Sequence, residues 1–351
     1  MKKSILLLLL PMTLGLLTSF AQNKTSASLY LTNYTFSETQ PEIGFIRVKG
    51  TSETKIKSIN LGGAQAGILK ISPDHKLTIR KEKLKPGLNW LDLPITVKTT
   101  AGGTLQDTFR LVRNNFIRNK VVAHRGAWKN TGATENSVAA LQHAIALGCE
   151  GSEFDVHMST DSVLYIHHDP IIQGISIAKS TADQLAAVKL TNGESLPTLR
   201  NYLETGIRQN KTKLILEIKA SELGKASSIA LTHKVVALVE QLRGQAWVDF
   251  ISFDYEVCTE LMKLAPYAKV AYLMGDKTPT ELAQQNFFGL DYHFSVLQKN
   301  PDWIKEAQQK KLTVNVWTVN DPALMASLLK EKVDFITTNE PELLLNMISG
   351  K

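Results

Sequence analysis

The chain has 351 residues, of which 43% are hydrophobic and 21% charged, and its formal net charge at pH 7 is +7. This length is too great for one small domain, and the ordinary composition excludes a chain that is disordered over most of its length. The sequence shows no internal repeat, which excludes a solenoid. The modest basic excess suits an anionic partner, although a solvated basic face explains it as well, and we expect no nucleic-acid partner.

The first 21 residues have the pattern of a secretory signal peptide. Lys2 and Lys3 precede the apolar run 5–17, and the small residue Ala21 suits cleavage before Gln22. The apolar run is too short for a comfortable membrane span, so an uncleaved anchor is the less favoured alternative. Loss of the two lysines lowers the net charge from +7 to +5. We therefore expect an exported protein, periplasmic or secreted, with no stable membrane anchor after cleavage.

The sequence contains two cysteines, Cys149 and Cys258, and both lie within apolar elements. An exported chain could join them in one disulfide, but a free cysteine in an apolar element is usually buried. We therefore predict two buried thiols.

Residues 22–115 contain short alternating segments, separated by turn signals that include glycine and proline. This pattern is typical of antiparallel strands. We predict a β-sandwich-like accessory domain, whose strand pairing does not follow from the sequence. The domain has no cluster of histidines or carboxylates, so we expect it to bind, to shield, or to dock the protein on a cell surface or substrate. The strand candidates are Ser26–Thr32, Ile43–Gly50, Ile56–Leu61, Leu69–Ile71, Leu77–Arg80, Leu91–Lys98 and Thr104–Val112.

Residues 116–351 form the second predicted domain, in which strands alternate with amphipathic helices, as in an α/β domain with a parallel sheet. The connection from Met158 to Ser162 is too short for a parallel crossover, which takes about a dozen residues. We therefore expect Val163–Ile166 to fold back as a hairpin arm, and the remaining eight strands predict a (β/α)8 TIM barrel. The other strand candidates are Val121–Ala123, Ser152–His157, Leu214–Ile218, Phe250–Phe253, Val270–Met274, Phe288–Tyr292, Val314–Trp317 and Phe335–Thr337, and helix candidates include Glu135–Leu147, Pro197–Gln209, Lys225–Leu242, Pro301–Lys310 and Pro322–Lys330.

Three carboxylates lie at or near the carboxyl ends of predicted strands, where a TIM barrel carries its catalytic groups. Glu153 and Asp155 are two residues apart on one strand, so both side chains face the barrel interior, where carboxylates repel each other unless a cation neutralises them. Glu217 adds a third carboxylate within an otherwise apolar run. An all-oxygen ligand set favours one hard divalent cation, Ca²⁺ or Mg²⁺, over zinc. The alternative is a salt bridge with Arg125 or Lys219.

Two histidines, His124 and His168, each end an apolar β run and could face each other across a bound substrate. In that arrangement one acts as a general base and the other as a general acid. Strand alternation sends the neighbouring His167 to the opposite face. His157 shares the face of Asp155, where it is either a further metal ligand or a hydrogen-bonded hairpin residue, and we favour the second.

The remaining candidate residues suit an anionic group and an apolar surface. Arg125 offers a fork of donors that fits a phosphate, and Lys219 adds a second cation on the face of Glu217. Glu135 lies at the start of the first predicted helix. It either interacts with the N-terminus of that helix or orients the metal site without binding the metal itself. Trp317 either lines the bottom of the pocket, where it would contact the apolar side of a small polyol, or packs at the barrel rim.

Taken together, these residues resemble the glycerophosphodiester phosphodiesterases, a family of the TIM-barrel phosphodiesterase superfamily that includes the phosphoinositide-specific phospholipases C. The resemblance covers about residues 119–345, the whole second domain. The order and spacing of the motifs carry it, since any one of them alone is weak. The motifs are HRG at 124–126, EN at 135–136, ExD at 153–155, HD at 168–169, LPTL at 196–199, EIK at 217–219, WTVN at 317–320 and ITTNEP at 336–341.

The resemblance implies a metal-dependent hydrolase that splits a glycerophosphodiester into sn-glycerol 3-phosphate and an alcohol. It assigns the divalent cation, Ca²⁺ or Mg²⁺, to Glu153, Asp155 and Glu217, and the acid/base roles to His124 and His168. Arg125 and Lys219 would then hold the phosphate. A glycerol hydroxyl could attack the phosphorus, so that a cyclic phosphate forms and water opens it.

The sequence departs from the family pattern at two places. Thr134 precedes EN where the family often has proline, and the run IIQGISIAKST follows HDP where the family often has arginine and threonine. The second departure alters the wall beside His168, where the alcohol or head group would lie. Two alternatives stay open: a phospholipase C-like or sphingomyelinase D-like barrel acting on intact lipids, and an exported binding protein that has lost catalysis.

Overall fold

The computed structural model describes residues 27–50 and 54–350, so the predicted signal peptide lies outside the described residues. The first part of the described chain contains eight strands: β1 (Ser28–Leu31), β2 (Thr35–Phe36), β3 (Glu42–Lys49), β4 (Ile56–Leu61), β5 (Leu69–Ile71), β6 (Lys76–Ile79), β7 (Trp90–Thr99) and β8 (Thr104–Arg113). They form two four-stranded sheets with the orders β1-β3-β6-β5 and β2-β8-β7-β4. Apolar side chains such as Ile46 and Leu77 from one sheet and Val97 and Leu111 from the other are fully buried in the core.

The second part alternates strands and helices. Its strands are β9 (Val121–Ala123), β10 (Gly151–Met158), β11 (Leu164–Ile166), β12 (Ile171–Ile172), β13 (Ile175–Ser176), β14 (Lys213–Ile218), β15 (Val248–Ser252), β16 (Val270–Tyr272), β17 (Gly289–His293), β18 (Thr313–Trp317) and β19 (Phe335–Thr338). Its helices are α1 (Val138–Leu147), α2 (Ala182–Ala186), α3 (Leu199–Gly206), α4 (Lys225–Gln241), α5 (Tyr255–Leu264), α6 (Pro279–Gln284), α7 (Phe294–Lys299), α8 (Trp303–Gln309), α9 (Pro322–Lys330) and α10 (Pro341–Ser349).

Eight parallel strands close into a barrel in the order β9-β10-β14-β15-β16-β17-β18-β19. The barrel closes because β9 pairs in parallel with β19 on one side and with β10 on the other. The ninth predicted strand, β11, is antiparallel to β10, with Ile166 opposite Val156, and forms the predicted hairpin arm. The prediction of a TIM barrel preceded by a small all-β domain is therefore confirmed.

The first barrel helix begins later than predicted. Its N-cap is Ser137, whose side chain accepts a hydrogen bond from Ala140 N, so α1 starts at Val138 and Glu135 lies outside it. Asparagine caps helices as well as serine does, but the Asn136 side chain binds Asp155, so Ser137 satisfies the free N–H of the first turn instead. The prediction that Glu135 opens this helix was wrong.

The β domain packs against the amino end of the barrel, opposite the strand ends that carry the predicted site. The Asn210 side chain, just before β14, donates a hydrogen bond to the Arg113 carbonyl oxygen at 3.0 Å. The rings of Tyr34 and Tyr267, the latter just before β16, meet edge to face with 5.1 Å between centroids. These contacts leave the β domain no direct part in the chemistry at the other end.

Two further observations concern the described part of the chain. Cys149 and Cys258 are both buried and free, as predicted. Among the described helices, none combines the length and the apolar character that crossing a membrane requires.

Candidate active site

The nine predicted site residues meet at the carboxyl end of the barrel. Seven of them line a cavity of about 110 Å³: His124, Arg125, Glu153, His168, Glu217, Lys219 and Trp317. The other two, Asp155 and Glu135, contact Lys219 and Arg125 respectively. A larger cavity of about 380 Å³ lies at the amino end of the barrel and contains none of these nine residues. The candidate active site is therefore distinguished by the polar side chains that converge on it and not by the volume of its cavity.

A buried cluster of three carboxylates forms the base of the site. Glu153 and Asp155 lie on β10, and Asp155 is directly opposite Glu217 on the neighbouring strand β14. One oxygen from each carboxylate lies within 4.8 Å of the others, and all three residues are buried. Such oxygen-only groups on rigid strands suit a hard divalent cation.

Lys219 also contacts this cluster. The salt bridge that the sequence offered as the alternative to a metal site is therefore present. Its Nζ lies 2.9 Å from Asp155 Oδ1 and 2.8 Å from Glu217 Oε1. Burial disfavours the charge on Lys219, but the two carboxylates outweigh it and raise the pKa of this lysine. One ammonium group cannot balance three carboxylates, so the pair with Lys219 leaves a charge that a divalent cation would neutralise.

The pKa shifts within the cluster reflect this imbalance. Burial, followed by the charges of Asp155 and Glu217, raises the pKa of Glu153 well above its usual value. Burial and Asp155 also raise the pKa of Glu217, to about 8. Burial acts in the same direction on Asp155, but the charge of Lys219 outweighs it and lowers the pKa of Asp155 to about 2. The residues present therefore fit a cation whose binding displaces protons from the glutamates.

Arg125 is held by contacts on both its backbone and its side chain. Its backbone N–H donates to Glu153 Oε2 at 2.8 Å, and its Nη1 donates to the Glu135 carboxylate at 2.9 and 3.0 Å. The residue has φ of +56°, which turns the chain sharply after β9. Glu135 thus acts on the arginine rather than on a helix N-terminus or on the carboxylate cluster. The arginine Nε lies 3.9 Å from Asp155 Oδ2, without a hydrogen-bond partner among the described residues, and Arg125 lines the cavity.

His124 follows β9 and is oriented by an amide. Its Nδ1 lies 2.8 Å from Asn339 Oδ1, so Nδ1 carries the proton and donates it. Asn339 is fixed in turn, because its backbone N–H donates to Asn320 Oδ1 at 2.9 Å. The lone pair on Nε2 is then free, 4.0 Å from Glu153 Oε2. Burial and the neighbouring Arg125 lower the pKa of His124 to about 4, so the ring is neutral at pH 7 and can accept a proton.

His168 enters the site from outside the parallel sheet, at the end of the hairpin arm. Its Nδ1 lies 2.8 Å from Asp169 Oδ1, and its carbonyl oxygen is 3.1 Å from His157 Nε2. His157 therefore anchors the backbone of His168 and lies outside the carboxylate cluster, as the favoured alternative predicted. Burial lowers the pKa of His157 to about 4. The backbone N–H of His167 donates to the Asp155 carbonyl oxygen at 3.1 Å, which ties the arm to β10.

Asn136 is a site residue that the candidates from sequence did not include, although it belongs to the EN motif. Its Nδ2 donates to Asp155 Oδ2 at 2.8 Å, and its Oδ1 accepts from the Asp155 backbone N–H at 3.2 Å. It is buried and has φ of +61°, a conformation that asparagine tolerates better than most residues. An asparagine next to a glutamate, immediately before a helix N-cap, was the available signal.

Aromatic and apolar side chains form the other wall of the cavity. Trp317 donates from Nε1 to the Asp291 carbonyl oxygen at 2.9 Å, and its ring meets Phe253 edge to face with 5.5 Å between centroids. Ile251 and Leu273 complete this wall. Trp317 therefore lines the cavity as well as packing at the rim, so the two alternatives for it are combined.

Asp291 lines the active-site cavity and also the larger cavity below it. Its Oδ2 accepts a hydrogen bond from Asn315 Nδ2 at 2.9 Å, and its Oδ1 has no partner among the described residues. Burial raises the pKa of Asp291 to about 7. No pattern at the sequence level singled out this residue.

Comparison with known proteins points to one family. The sequence model of the glycerophosphoryl diester phosphodiesterase family matches residues 124–343. A glycerophosphodiester phosphodiesterase from Caldanaerobacter subterraneus is 27% identical over 248 residues, which cover 66% of this chain and 98% of the relative. The β domain lies outside the residues that the family model matches.

Solved structures give the same picture. A glycerophosphodiester phosphodiesterase from Parabacteroides distasonis is 40% identical with a TM-score of 0.65, and the match covers 67% of this chain and 98% of that one. A phosphodiesterase from Oleispira antarctica, solved in complex with the product sn-glycerol-3-phosphate, is 24% identical with a TM-score of 0.55, and the match covers 66% of this chain and 96% of that one. At that identity the second likeness concerns the fold alone.

Proposed function

This chain belongs to the glycerophosphoryl diester phosphodiesterase family and hydrolyses glycerophosphodiesters, and on that premise we propose how its own residues carry out the reaction. The products are sn-glycerol 3-phosphate and an alcohol. One divalent cation, Ca²⁺ or Mg²⁺, is held by Glu153, Asp155 and Glu217, with His124 and His168 as the acid/base pair. The observation that carries the proposal is the convergence of all these groups on one cavity.

A cation bound by the three carboxylates would supply positive charge next to a phosphate oxygen. The surrounding residues are arranged to hold it: Asn136 fixes one Asp155 oxygen, and the Arg125 backbone fixes one Glu153 oxygen. This leaves Glu153 Oε1 for the cation, whereas Asp155 Oδ1 and Glu217 Oε1 lie 2.9 and 2.8 Å from Lys219 Nζ, so the cation would share these two oxygens with the lysine.

Arg125 and Lys219 bind the phosphate of the substrate. The guanidinium offers a planar set of donors, and its orientation is set by Glu135. Lys219 supplies a second positive charge at the border of the carboxylate cluster. Both cations stabilise the extra negative charge that develops on the phosphoryl oxygens in the transition state.

His124 and His168 move the protons. Neutral His124 accepts at Nε2 the proton of the attacking hydroxyl, which we assign to the glycerol 2-hydroxyl. His168 donates a proton to the oxygen of the leaving alcohol as its bond to phosphorus breaks. The same pair then acts in reverse, when water opens the cyclic phosphate. A glycerol analogue without the 2-hydroxyl should therefore not be cleaved, and phosphorus NMR should detect the cyclic phosphate early in the reaction.

The protein acts after export, in the periplasm or outside the cell. The basic and apolar pattern of residues 1–21 supports this proposal. Fractionation of cells that produce the full chain, with sequencing of the mature amino terminus, tests it. A chain that stays in the cytoplasm and begins at Met1 would contradict export.

The catalytic proposal is tested on purified protein with several glycerophosphodiesters, with Ca²⁺, Mg²⁺ or chelator, by measuring glycerol 3-phosphate. We expect activity with a divalent cation and none in chelator. His124→Ala should reduce activity at least a hundredfold, the lower range for loss of acid/base catalysis. His233→Ala is the matched control, since His233 is exposed and pairs with Glu260 on the barrel exterior. Full activity of His124→Ala, or activity in chelator, would contradict the mechanism.

A further inference from the structure

Four exposed apolar side chains surround one side of the active-site mouth. In the described part of the chain, five large hydrophobic residues are exposed: Ile171 (51%), Leu223 (52%), Phe253 (36%), Met274 (56%) and Ile348 (39%). The first four lie on segments that follow β11, β14, β15 and β16, whereas Ile348 lies near the end of α10. Single exposed apolar residues are ordinary, but four on one rim are not.

The segments that carry these residues are neighbours in space. β11, β10, β14, β15 and β16 are consecutive in the sheet. Polar contacts join the segments above them: Ser176 and Lys179, beyond the β12–β13 turn, contact Glu222, and Lys225 contacts Glu256.

The last two segments are joined as well. Lys277, in the segment after β16, lies 5.8 Å from the centre of the Tyr255 ring, in the segment after β15. Since neighbouring strands lie about 4.8 Å apart, the five strands from β11 to β16 span roughly 19 Å. The four residues Ile171, Leu223, Phe253 and Met274 thus lie on adjacent segments at one side of the mouth, and we call this set the apolar rim.

The apolar rim continues the apolar wall of the catalytic cavity. Ile251, Phe253 and Leu273 line the cavity, so Phe253 belongs to both surfaces. Leu273 is buried, and the next residue, Met274, is the most exposed of the five. An apolar group attached to a bound substrate would leave the cavity over Phe253 and reach Met274 without crossing a charged side chain of this wall.

The other side of the mouth is polar. The segment after β9 carries Lys129 and Asn130, both of which contact Glu340 after β19. A membrane surface pressed against the whole mouth would have to desolvate these charges. A single apolar chain that leaves the cavity on one side would not. The segments of the apolar rim also carry charged side chains, such as Glu222 and Lys225, so a bilayer would meet charges on both sides of the mouth. The short apolar path from Phe253 to Met274 therefore favours a single chain carried by the substrate over a bilayer.

We propose that the site accepts monoacylated glycerophosphodiesters, with the acyl chain lying along the apolar rim. The inference rests on the proposed function and deepens it. Water is added across the bond between phosphorus and the head-group oxygen, so the products are a monoacylglycerol phosphate and the free alcohol. The acyl ester bond is untouched.

The experiment compares glycerophosphocholine with 1-acyl-glycerophosphocholines of increasing chain length, each below its micelle concentration. Full burial of a methylene group corresponds to about a fourfold gain in affinity, and half-burial on an open rim to about twofold. We expect kcat/KM to rise about twofold per added methylene until the chain passes the rim. Met274→Ser and Leu223→Ser should flatten this rise and leave glycerophosphocholine hydrolysis unchanged. Ile348→Ser is the matched control and should alter neither.

Four outcomes decide the proposal. A rise that the rim variants flatten and Ile348→Ser does not supports it. If glycerophosphocholine is cleaved but chain length has no effect, the acyl-chain proposal is overturned and the proposed function stands. If neither substrate class is cleaved, the proposed function fails and the proposal fails with it. If chain length has no effect, but the protein sediments with phosphatidylcholine vesicles and the rim variants do not, the rim binds a bilayer instead.

Discussion

Asn339 Oδ1 accepts the Nδ1 proton of His124 at 2.8 Å, and this contact decides which nitrogen of the ring faces the cavity. The two residues come from opposite ends of the barrel sequence and meet because β9 closes the sheet against β19. Burial and Arg125 lower the pKa of His124 by more than the Asn339 hydrogen bond raises it, so the imidazole is uncharged, which is the form a general base needs.

Replacing Asn339 by aspartate should make His124 more basic. An anion beside Nδ1 favours the imidazolium form and raises the pKa of His124 from its value of about 4, by about one to three units. Since the base must be unprotonated, the acid limb of the kcat/KM profile should move to higher pH by a similar amount. Asn130→Asp adds the same charge at a residue that contacts Glu340 and Glu342, and should leave the profile unshifted. An unmoved acid limb in Asn339→Asp would remove His124 from the role of base.

The site residues at the strand ends were predictable, because the carboxyl ends of parallel strands lie together at one end of the barrel. Glu153, Asp155 and Glu217 interrupt apolar runs that have no other reason to carry charge, and strand periodicity places their side chains inside the barrel. The hairpin arm followed from loop length alone, since five residues cannot make a crossover. These inferences need only local spacing and the geometry of one fold.

The residues that orient the catalytic groups were not predictable in this way. Asn136, Asn339 and Asp169 are ordinary polar residues by type, and their roles depend on which group the fold brings opposite them. The same holds for Glu135, which was placed in a helix that Ser137 caps instead. The strand order of the β domain also depends on long-range pairing, since the unpredicted strand β2 runs parallel to β8.

Replacing Glu135 by glutamine should weaken phosphate binding. The neutral side chain accepts only one good hydrogen bond from Arg125 and no longer holds the guanidinium by charge. We expect kcat/KM to fall about tenfold, with most of the loss in KM, since displaced contacts cost about this much or more. Glu150→Gln is the matched control: Glu150 binds Arg118 at 3.1 Å at the amino end of the barrel. If both variants behave like the wild type, Glu135 does not position Arg125 for the substrate.

Binding of the divalent cation should release protons. Burial and Asp155 raise the pKa of Glu217 to about 8, and burial with both neighbours raises that of Glu153, so the empty site holds protons at pH 7. The cation binds the ionised forms, and its affinity should therefore rise as the pH increases through about 8, where Glu217 ionises. Calorimetry with Ca²⁺ or Mg²⁺ in buffers of different ionisation enthalpy measures the release.

The same titrations should separate the ligands from other glutamates. Glu217→Gln removes one ligand charge, so both the affinity and the proton release should fall. Glu281→Gln changes an exposed glutamate that caps α6, and it should bind the cation like the wild type. Cation binding without proton release at pH 7 would mean that the carboxylates are already ionised.

The fold should lose stability as Asp291 ionises. Burial raises the pKa of this carboxyl from 3.8 to about 7, so its contribution is fully present below pH 3.8 and lost as the pH rises through about 7. Three pKa units correspond to up to about 4 kcal/mol. Asp291→Asn should therefore gain stability over the wild type at pH 8 but not at pH 4, as measured by urea unfolding. Asp302→Asn, at an exposed position, should track the wild type at both pH values. A gain that does not depend on pH would show that ionisation of Asp291 is not the cause.

Gly126 should not tolerate a side chain, and the neighbouring glycine in the same segment shows why. Gly126 has φ of +79°, and a Cβ there would lie 2.7 Å from Ala140 Cβ on α1 and 2.8 Å from Ala140 C. Gly132 has a similar φ of +75° and no heavy atom within 4 Å of such a Cβ. Both alanine variants carry backbone strain of about 1 kcal/mol, but only Gly126→Ala adds a clash with a packed helix, worth about 1–3 kcal/mol more. The clash would push away the segment in which the Arg125 backbone binds Glu153. Urea unfolding should therefore show a larger loss of stability for Gly126→Ala than for Gly132→Ala.

Activity should separate the two variants as well. The kcat/KM of Gly126→Ala should be at least a hundredfold lower than that of the wild type, whereas that of Gly132→Ala should stay within about twofold. Equal losses in the two variants would mean that backbone strain alone, and not the packing of this turn on α1, holds Arg125 in place.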